Sequence, residues 1–231
     1  MYRIWQVFAY TIGAIALVFA VVQGWFFVHV LYWDRFNPIS TSVMDRRLDE
    51  LRAKNPHAEL MYRWVDYDHI STHLKRAVIA AEDAKFVDHE GFDWEGIQRA
   101  MEKNQRRGKV VAGGSTISQQ LAKNLLLSGE RSLTRKGEEA IITLMLEAVM
   151  SKRRILELYA NVAEWGDGVF GVEAAARHYY GVSAANLTAE QAARLAAILP
   201  RPRYYDRNRG STYLASYSER ILARMPSTQV P

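Results

Sequence analysis

Four stretches of this 231-residue chain carry side chains of the types and spacing that chemistry uses. In Glu82-Asp83-Ala84-Lys85-Phe86-Val87-Asp88-His89-Glu90-Gly91, two adjacent carboxylates follow the apolar run Val78-Ile79-Ala80-Ala81. On a helix this puts one of them, Glu82 by the spacing, at the edge of the apolar face. Desolvation there disfavours the charged form, raises the pKa and makes a better base. Alone, the stretch reads more plainly as a solvated helix end. The second stretch is Gly113-Gly114-Ser115-Thr116-Ile117-Ser118-Gln119-Gln120-Leu121-Ala122-Lys123-Asn124. A glycine pair feeding hydroxyls into a helix N-terminus offers backbone N–H groups and a positive dipole end, a setting that suits an anion. Gln119, Gln120 and Lys123 then share one helix face, mixing amide hydrogen bonding with charge as sugars and phosphates require.

The third stretch runs from Arg131 to Glu139. If Thr134 caps a helix, Arg135 and Lys136 lie four and three residues before Glu139 on its side, at least an ion pair worth about 0.3–0.5 kcal/mol. The fourth, Lys152-Arg153-Arg154-Ile155-Leu156-Glu157-Leu158-Tyr159-Ala160-Asn161, is an amphipathic helix start that serves equally as scaffold. Other signals fail. Gly108 to Gly113 has phosphate-loop glycine spacing, but Gly114 stands where the lysine belongs and no strand precedes it. His69 and His73 have zinc-helix spacing without the general-base glutamate, so no metal ligands are assigned.

The elements that position these stretches divide sharply by composition. From Ile4 to Trp33 thirty residues pass without Asp, Glu, Lys or Arg, while the whole chain carries net charge +5 and no cysteine. The absence of cysteine excludes a disulfide framework, a Cys-based zinc site and a thiol nucleophile. A span over 7–33 exceeds the roughly 20 residues needed to cross a bilayer and has aromatic flanks. A cleavable signal peptide fits poorly, because apolar residues continue past the weak site around Gln23-Gly24. Flanking charges do not choose an orientation. Beyond residues 1–6 and the span, 34–65 reads as an irregular linker and the start of the domain, and 66–231 as one mainly α domain. Its apolar stripes are Leu74, Ala77, Val78, Ala81; Ile117, Leu121, Leu125; Ile142, Met145, Leu146, Val149; Ile155, Leu158, Tyr159; and Ala192, Leu195, Ala196, Leu199. Thr188 and Gln191 form the pattern of a capping box opening the penultimate helix.

In this order, Glu-Asp-x-x-Phe-x-x-His-x-Gly, Gly-x-Ser-Thr-Ile-x-Gln-Gln-x-x-Lys-Asn, Arg-Lys-x-x-Glu and Lys-x-x-Ile-Leu-Glu-x-Tyr-x-Asn resemble the peptidoglycan glycosyltransferases of penicillin-binding proteins and monofunctional biosynthetic transglycosylases. The resemblance runs from about Asp66 to Tyr205, including Glu164-Trp165-Gly166-Asp167-Gly168-Val169-Phe170-Gly171; Ala160 departs from the family's usual leucine. It implies a lysozyme-like glycosyltransferase domain with a small membrane-facing lobe, corresponding to Asp93 to Gly113, after one transmembrane helix. With no room for a transpeptidase domain, the chain resembles the monofunctional form. The implied reaction is polymerisation of lipid II on the outer or periplasmic face of the cytoplasmic membrane. The GlcNAc 4-hydroxyl attacks the MurNAc anomeric carbon with inversion, and undecaprenyl pyrophosphate leaves.

By the same resemblance Glu82 is the catalytic base, and Glu139 a stabiliser of the oxocarbenium-like centre or an organiser of the pyrophosphate site. Lys123, Arg131, Arg135 and Lys136 would neutralise diphosphate charge, with Ser115, Gln119, Gln120 and Asn124 as hydrogen-bonding groups. A divalent cation, Mg2+ or Mn2+, could share that work; no organic cofactor is implied. Expected partners are lipid II, the growing glycan strand, membrane lipids near Lys103, Arg106, Arg107 and Lys109, and other cell wall synthases, with no nucleic acid. A lytic hydrolase of similar fold would need a general acid but not the Lys123/Arg131 cluster, and a tethered basic module would not need Glu82.

Overall fold

The computed structural model describes residues 2–109, 113–127 and 132–231. Contacts separate two compact units, Met1–Pro38 and Ile39–Pro231. The first is helix α1, Tyr2–Arg35, whose 34 residues span about 51 Å at about 1.5 Å each. Its mean hydropathy reaches 2.2, and among the described residues it alone is long and apolar enough to cross a membrane. Two of its polar side chains bond back to the helix: Thr11 Oγ1 donates to Val7 O at 2.9 Å, and His29 Nδ1 lies 2.9 Å from Trp25 O. Such internal satisfaction is what a hydrocarbon environment demands.

The second unit is mainly helical, as expected. Its helices are α2 (Ser42–Arg52), α3 (Thr72–Glu82), α4 (Trp94–Arg107), α5 (Ile117–Leu126), α6 (Leu133–Val149), α7 (Lys152–Val162), α8 (Val172–Tyr180), α9 (Ala189–Ile198), α10 (Pro202–Arg207) and α11 (Thr212–Arg224). Three short strands, β1 (Met61–Tyr62), β2 (Glu164–Gly166) and β3 (Val169–Phe170), form a sheet in the order β1-β3-β2. β1 runs parallel to β3, and β2 and β3 form an antiparallel hairpin with an irregularity between Glu164 and Gly166. Strands this short leave too little alternation to register as a pattern in sequence.

Three features differ from the sequence reading. Residues 42–52, read as linker, form α2, because Thr41 caps the helix by accepting from Met44 N at 3.3 Å and Met44 is buried. Ser132, not Thr134, caps α6, accepting from Arg135 N at 3.1 Å. The Thr188 capping box is present, but α10 and α11 both follow α9.

The core is assembled from the expected stripes. Leu74, Ala77 and Val78 of α3 are buried, with α3 packed against α9 and α11. Ile117, Leu121 and Leu125 of α5 are buried, with α5 packed against α2, α6 and α7. Ala81, Met145, Val149 and Leu199 sit half-buried at the stripe margins. Phe86 of the first motif is wholly buried, as are Trp165 and Tyr159. Side chains of this size contribute roughly 1.5–3 kcal/mol each by leaving water. The loop after α3 turns at Gly91, whose φ of +89° favours glycine and where a Cβ would lie 2.8 Å from Thr143 Cγ2. This turn brings the loop back to the start of α5.

Candidate active site

The site grows from the junction of α3 and α5. Thr116 caps α5 through a reciprocal box: its hydroxyl accepts from Gln119 N at 3.2 Å, and Gln119 Oε1 accepts from Thr116 N at 3.1 Å. Thr116 Oγ1 also donates to Gly91 O at 2.7 Å. The buried carboxylate of Asp83 accepts from Ile117 N at 3.0 Å and lies 2.9 Å and 3.1 Å from His89 Nε2. His89 Nδ1 accepts from Gly91 N at 3.1 Å, which fixes the proton on Nε2, facing Asp83. The anion at the positive end of α5 is therefore Asp83 itself. This corrects the expectation that this helix N-terminus stands ready for a substrate anion.

Glu82, one residue earlier, points elsewhere. Its Oε2 accepts from Gln120 Nε2 at 2.7 Å, and Gln120 Oε1 accepts from the buried Tyr159 hydroxyl of α7 at 3.1 Å. Tyr217 of α11 donates to Ala81 O at 3.2 Å, securing the last turn of α3. Burial pushes the Glu82 carboxyl above its ordinary value, and the Asp83 charge adds to the rise. The Gln120 hydrogen bond and the Lys123 charge oppose it without cancelling it. Tyr159 is raised well above the usual phenol value by burial, then by the Glu82 and Asp83 charges, so its hydroxyl remains a donor.

Glu82 opens onto a hollow of about 100 Å3 lined by Gly113, Gly114, Ser115 and Thr116. Gln120 also faces a larger cleft of about 340 Å3 that includes Lys123, Asn124, Arg135, Arg46 and Arg203. Glu139, 4% exposed, accepts from Lys136 Nζ and lies 3.7 Å from Arg135 Nη1. Lys136 Nζ also donates to Ser115 Oγ at 3.3 Å, linking the two glutamate neighbourhoods through one cation. Lys136 and Ser115 meet Gln119 in a third hollow of about 240 Å3 beside Ile97 and Met101 of α4.

The sequence-predicted residues thus gather around one region, with distinctions. Glu82, Gln120, Lys123, Asn124 and Arg135 border the Glu82 hollow or the larger cleft, and Glu139, Lys136 and Ser115 form a linked group. Gln119 is 4% exposed and its carbonyl is committed to the cap. Arg131 lies outside the described residues. The fourth motif is largely scaffold: Asn161 accepts from Val65 N at 2.9 Å and donates to Val65 O and Glu157 O, while Glu157 accepts from Tyr67 N at 2.7 Å. Lys152 Nζ donates to Glu147 at 2.8 Å.

Sequence reasoning missed Arg46 and Arg203 as cleft residues, and Tyr159 as Gln120's partner. Arg46 fell in the apparent linker, and Arg203 is tied to Glu164 at 2.9 Å across 39 positions, a pairing no local pattern announces. Glu164, itself a cleft residue, is pushed up by burial against the pull of Arg203. Among the described residues no three His, Asp or Glu side chains converge as a metal site. The polar groups around the larger cleft are chiefly cations and amides, a donor set unsuited to holding Mg2+ or Mn2+, so the residues present do not fit a protein-held divalent cation.

Comparison with known proteins identifies the family. The transglycosylase family model matches residues 49–226. A biosynthetic peptidoglycan transglycosylase of Dechloromonas aromatica (strain RCB) is 64% identical over 220 residues, covering 95% of each chain. One from Nitrosospira multiformis is 58% identical over 227 residues, covering 98% of this chain and 97% of the relative. One from Azoarcus sp. (strain BH72) is 55% identical over all 231 residues of both. The family match includes both Glu82 and Glu139, and the chain belongs to the transglycosylase family, alongside the biosynthetic peptidoglycan transglycosylases.

Proposed function

We propose that this chain is a glycan-chain polymerase of cell wall biosynthesis that acts on lipid II, held by α1 at the cytoplasmic membrane with its catalytic unit on the outer or periplasmic face. The observation that carries the reading is a carboxylate of raised pKa, Glu82, hydrogen-bonded to Gln120, which itself lines the cleft that holds Lys123 and Arg135. Raised proton affinity improves a general base working near neutral pH.

Glu82 takes the proton of the GlcNAc 4-hydroxyl as that oxygen bonds to the MurNAc anomeric carbon. The bond from this carbon to the diphosphate oxygen breaks on the opposite face, giving inversion. The leaving diphosphate carries its own negative charge and needs cations rather than a proton donor, in contrast to a glycosidase leaving group. Lys123, Arg135 and Lys136 supply positive charge, with Arg131 as a further cation. Glu139, paired with both Arg135 and Lys136, suits the organiser of that site better than a free stabiliser of the sugar centre. Ser115, Gln120 and Asn124 offer hydrogen bonds to sugar and phosphate, and Gln119 serves chiefly by capping α5. The exposed Trp94 and the basic Lys103, Arg106, Arg107 and Lys109 on and after α4 suit an anionic lipid surface.

The test is purified lipid II in detergent with the wild-type chain and Glu82→Gln. The expected result is consumption of lipid II into longer lipid-linked glycans by the wild type, and near-complete loss in the variant with lipid II binding retained. Cleavage of isolated sacculi without polymer formation would overturn the reading in favour of a hydrolase. Unchanged function in Glu82→Gln would overturn it in favour of a binding module.

A further inference from the structure

Gln120 stands between two groups of unlike hydrogen-bonding character. On one side is the Glu82 carboxylate, which when ionised can only accept; on the other is the Tyr159 phenol. A primary amide has one donating and one accepting end, so the two neighbours together select one of its two flip states. With Nε2 toward Glu82 both contacts are favourable; with the amide reversed, its carbonyl faces a carboxylate oxygen. Tyr159 is 1% exposed and its ring is fixed in the core, so the hydroxyl is delivered to Gln120 Oε1 from a rigid element.

We propose that Tyr159 is a positioning residue for the glycosyl transfer: by donating to Gln120 Oε1 it locks the Gln120 amide with Nε2 on Glu82 Oε2, leaving Glu82 Oε1 for the acceptor hydroxyl. The inference rests on the function proposed above and assigns a part of that site. The groups facing Glu82 are Asp83 just past the end of its own helix, Gln120 and Lys123 on α5, Tyr159 on α7 and Tyr217 on α11. Of these, Gln120 is the one whose contribution depends on which way its side chain is turned. Tyr159 borders the larger cleft but is 1% exposed, and it acts through Gln120.

The experiment uses the full chain in detergent micelles with Tyr159→Phe, Gln120→Ala and the double variant. Removing the hydroxyl alone keeps the ring packing and frees the amide to turn. Because the Gln120 donor favours the ionised carboxylate, its loss shifts Glu82 titration upward. Two readouts report this: the acid limb of the kcat/KM profile on lipid II, and the carbon NMR titration of Glu82 assigned against Glu82→Gln. The expected result is an upward shift in both for Tyr159→Phe, with kcat at neutral pH reduced and partly regained at higher pH while KM changes little. The double variant should titrate like Gln120→Ala alone, since a relay has no effect once its middle member is gone.

An unmoved limb in Tyr159→Phe, or a rate lowered equally at every pH, would mean that Tyr159 only packs, and overturns the inference. The NMR titration needs no turnover, so the two readings fail separately. A wild-type chain inert on lipid II overturns the proposed function and Tyr159's part in it. A wild-type chain that polymerises while Glu82 titrates identically with and without the hydroxyl overturns the Tyr159 inference alone.

Discussion

Adjacent carboxylates with opposite duties should respond oppositely to removal, and Glu82 and Asp83 offer that contrast. Asp83→Ala strands two buried donors, Ile117 N–H and His89 Nε2–H. Each unsatisfied buried group costs about 1–3 kcal/mol, so the loss is about 2–6 kcal/mol before the lost charge at the α5 N-terminus is added. For a unit of this size each kcal/mol lowers Tm by about 2–4 °C, and a mid-range 4 kcal/mol gives roughly 8–16 °C. Asp83→Asn should not rescue fully. His89 Nδ1 is committed to Gly91 N–H, so the ring cannot change tautomer to receive the new amide donor. Glu82→Gln should instead leave Tm unchanged or higher. A carboxyl with a raised folded pKa favours the folded state most below its unfolded value, and that contribution fades as pH rises through the folded value. The neutral amide avoids this loss at pH 7, while lipid II turnover falls by about 10²–10⁴ for a lost general base. Thermal unfolding by circular dichroism in detergent, alongside lipid II polymerisation, reads both effects. A wild-type Tm for Asp83→Ala, or a large fall for Glu82→Gln, would refute this division of roles.

Lys123→Ala should lower kcat/KM on lipid II about 10–100-fold at pH 7, the equivalent of one charge-assisted hydrogen bond, and weaken inhibition by inorganic pyrophosphate; wild-type values for both would remove Lys123 from the diphosphate site. Asn161→Ala should destabilise the domain by about 2–6 kcal/mol, because it strands Val65 N–H and C=O, seen as a lower Tm with any surviving activity retaining its pH profile. Asp206 is held down to about 2 by hydrogen bonds from His178, Asp167 N and Arg209 that outweigh its burial. Its stabilising contribution is present above the unfolded pKa and disappears as pH falls through about 2. Asp206→Ala should therefore lower Tm at pH 7 and converge with wild type near pH 2.

Much of the scaffold was legible because its signals are local. The charge-free run is visible at a glance, and α1 follows from it. Thr188 with Gln191 announced a helix start, since a capping box is a contact within one turn, while the box of the same pattern at Thr116 and Gln119 went unread. The stripes of α5 and α7 gave the buried faces for the same reason of period. α2 escaped notice because its eleven residues include six charged side chains, and one of those, Arg47, is buried against Glu50 and Asp167. A buried arginine inverts the polar-outside rule on which the linker reading depended.

The sequence by itself determined which motifs occur, in what order, and therefore the family. Tertiary structure alone decided what each neighbour in a pair touches. Gln119 and Gln120, consecutive on α5, point about 100° apart, and Asp83 leaves the helix that Glu82 ends, so each pair is near-equivalent in sequence and faces different surroundings in space. Asp83 meets Ile117 across 34 positions, Glu82 meets Gln120 across 38, and Tyr159 meets Gln120 across 39. Contacts at that separation depend on how α3, α5 and α7 pack together. One carboxylate becomes the seal of a helix and the other is left with raised proton affinity beside an open hollow.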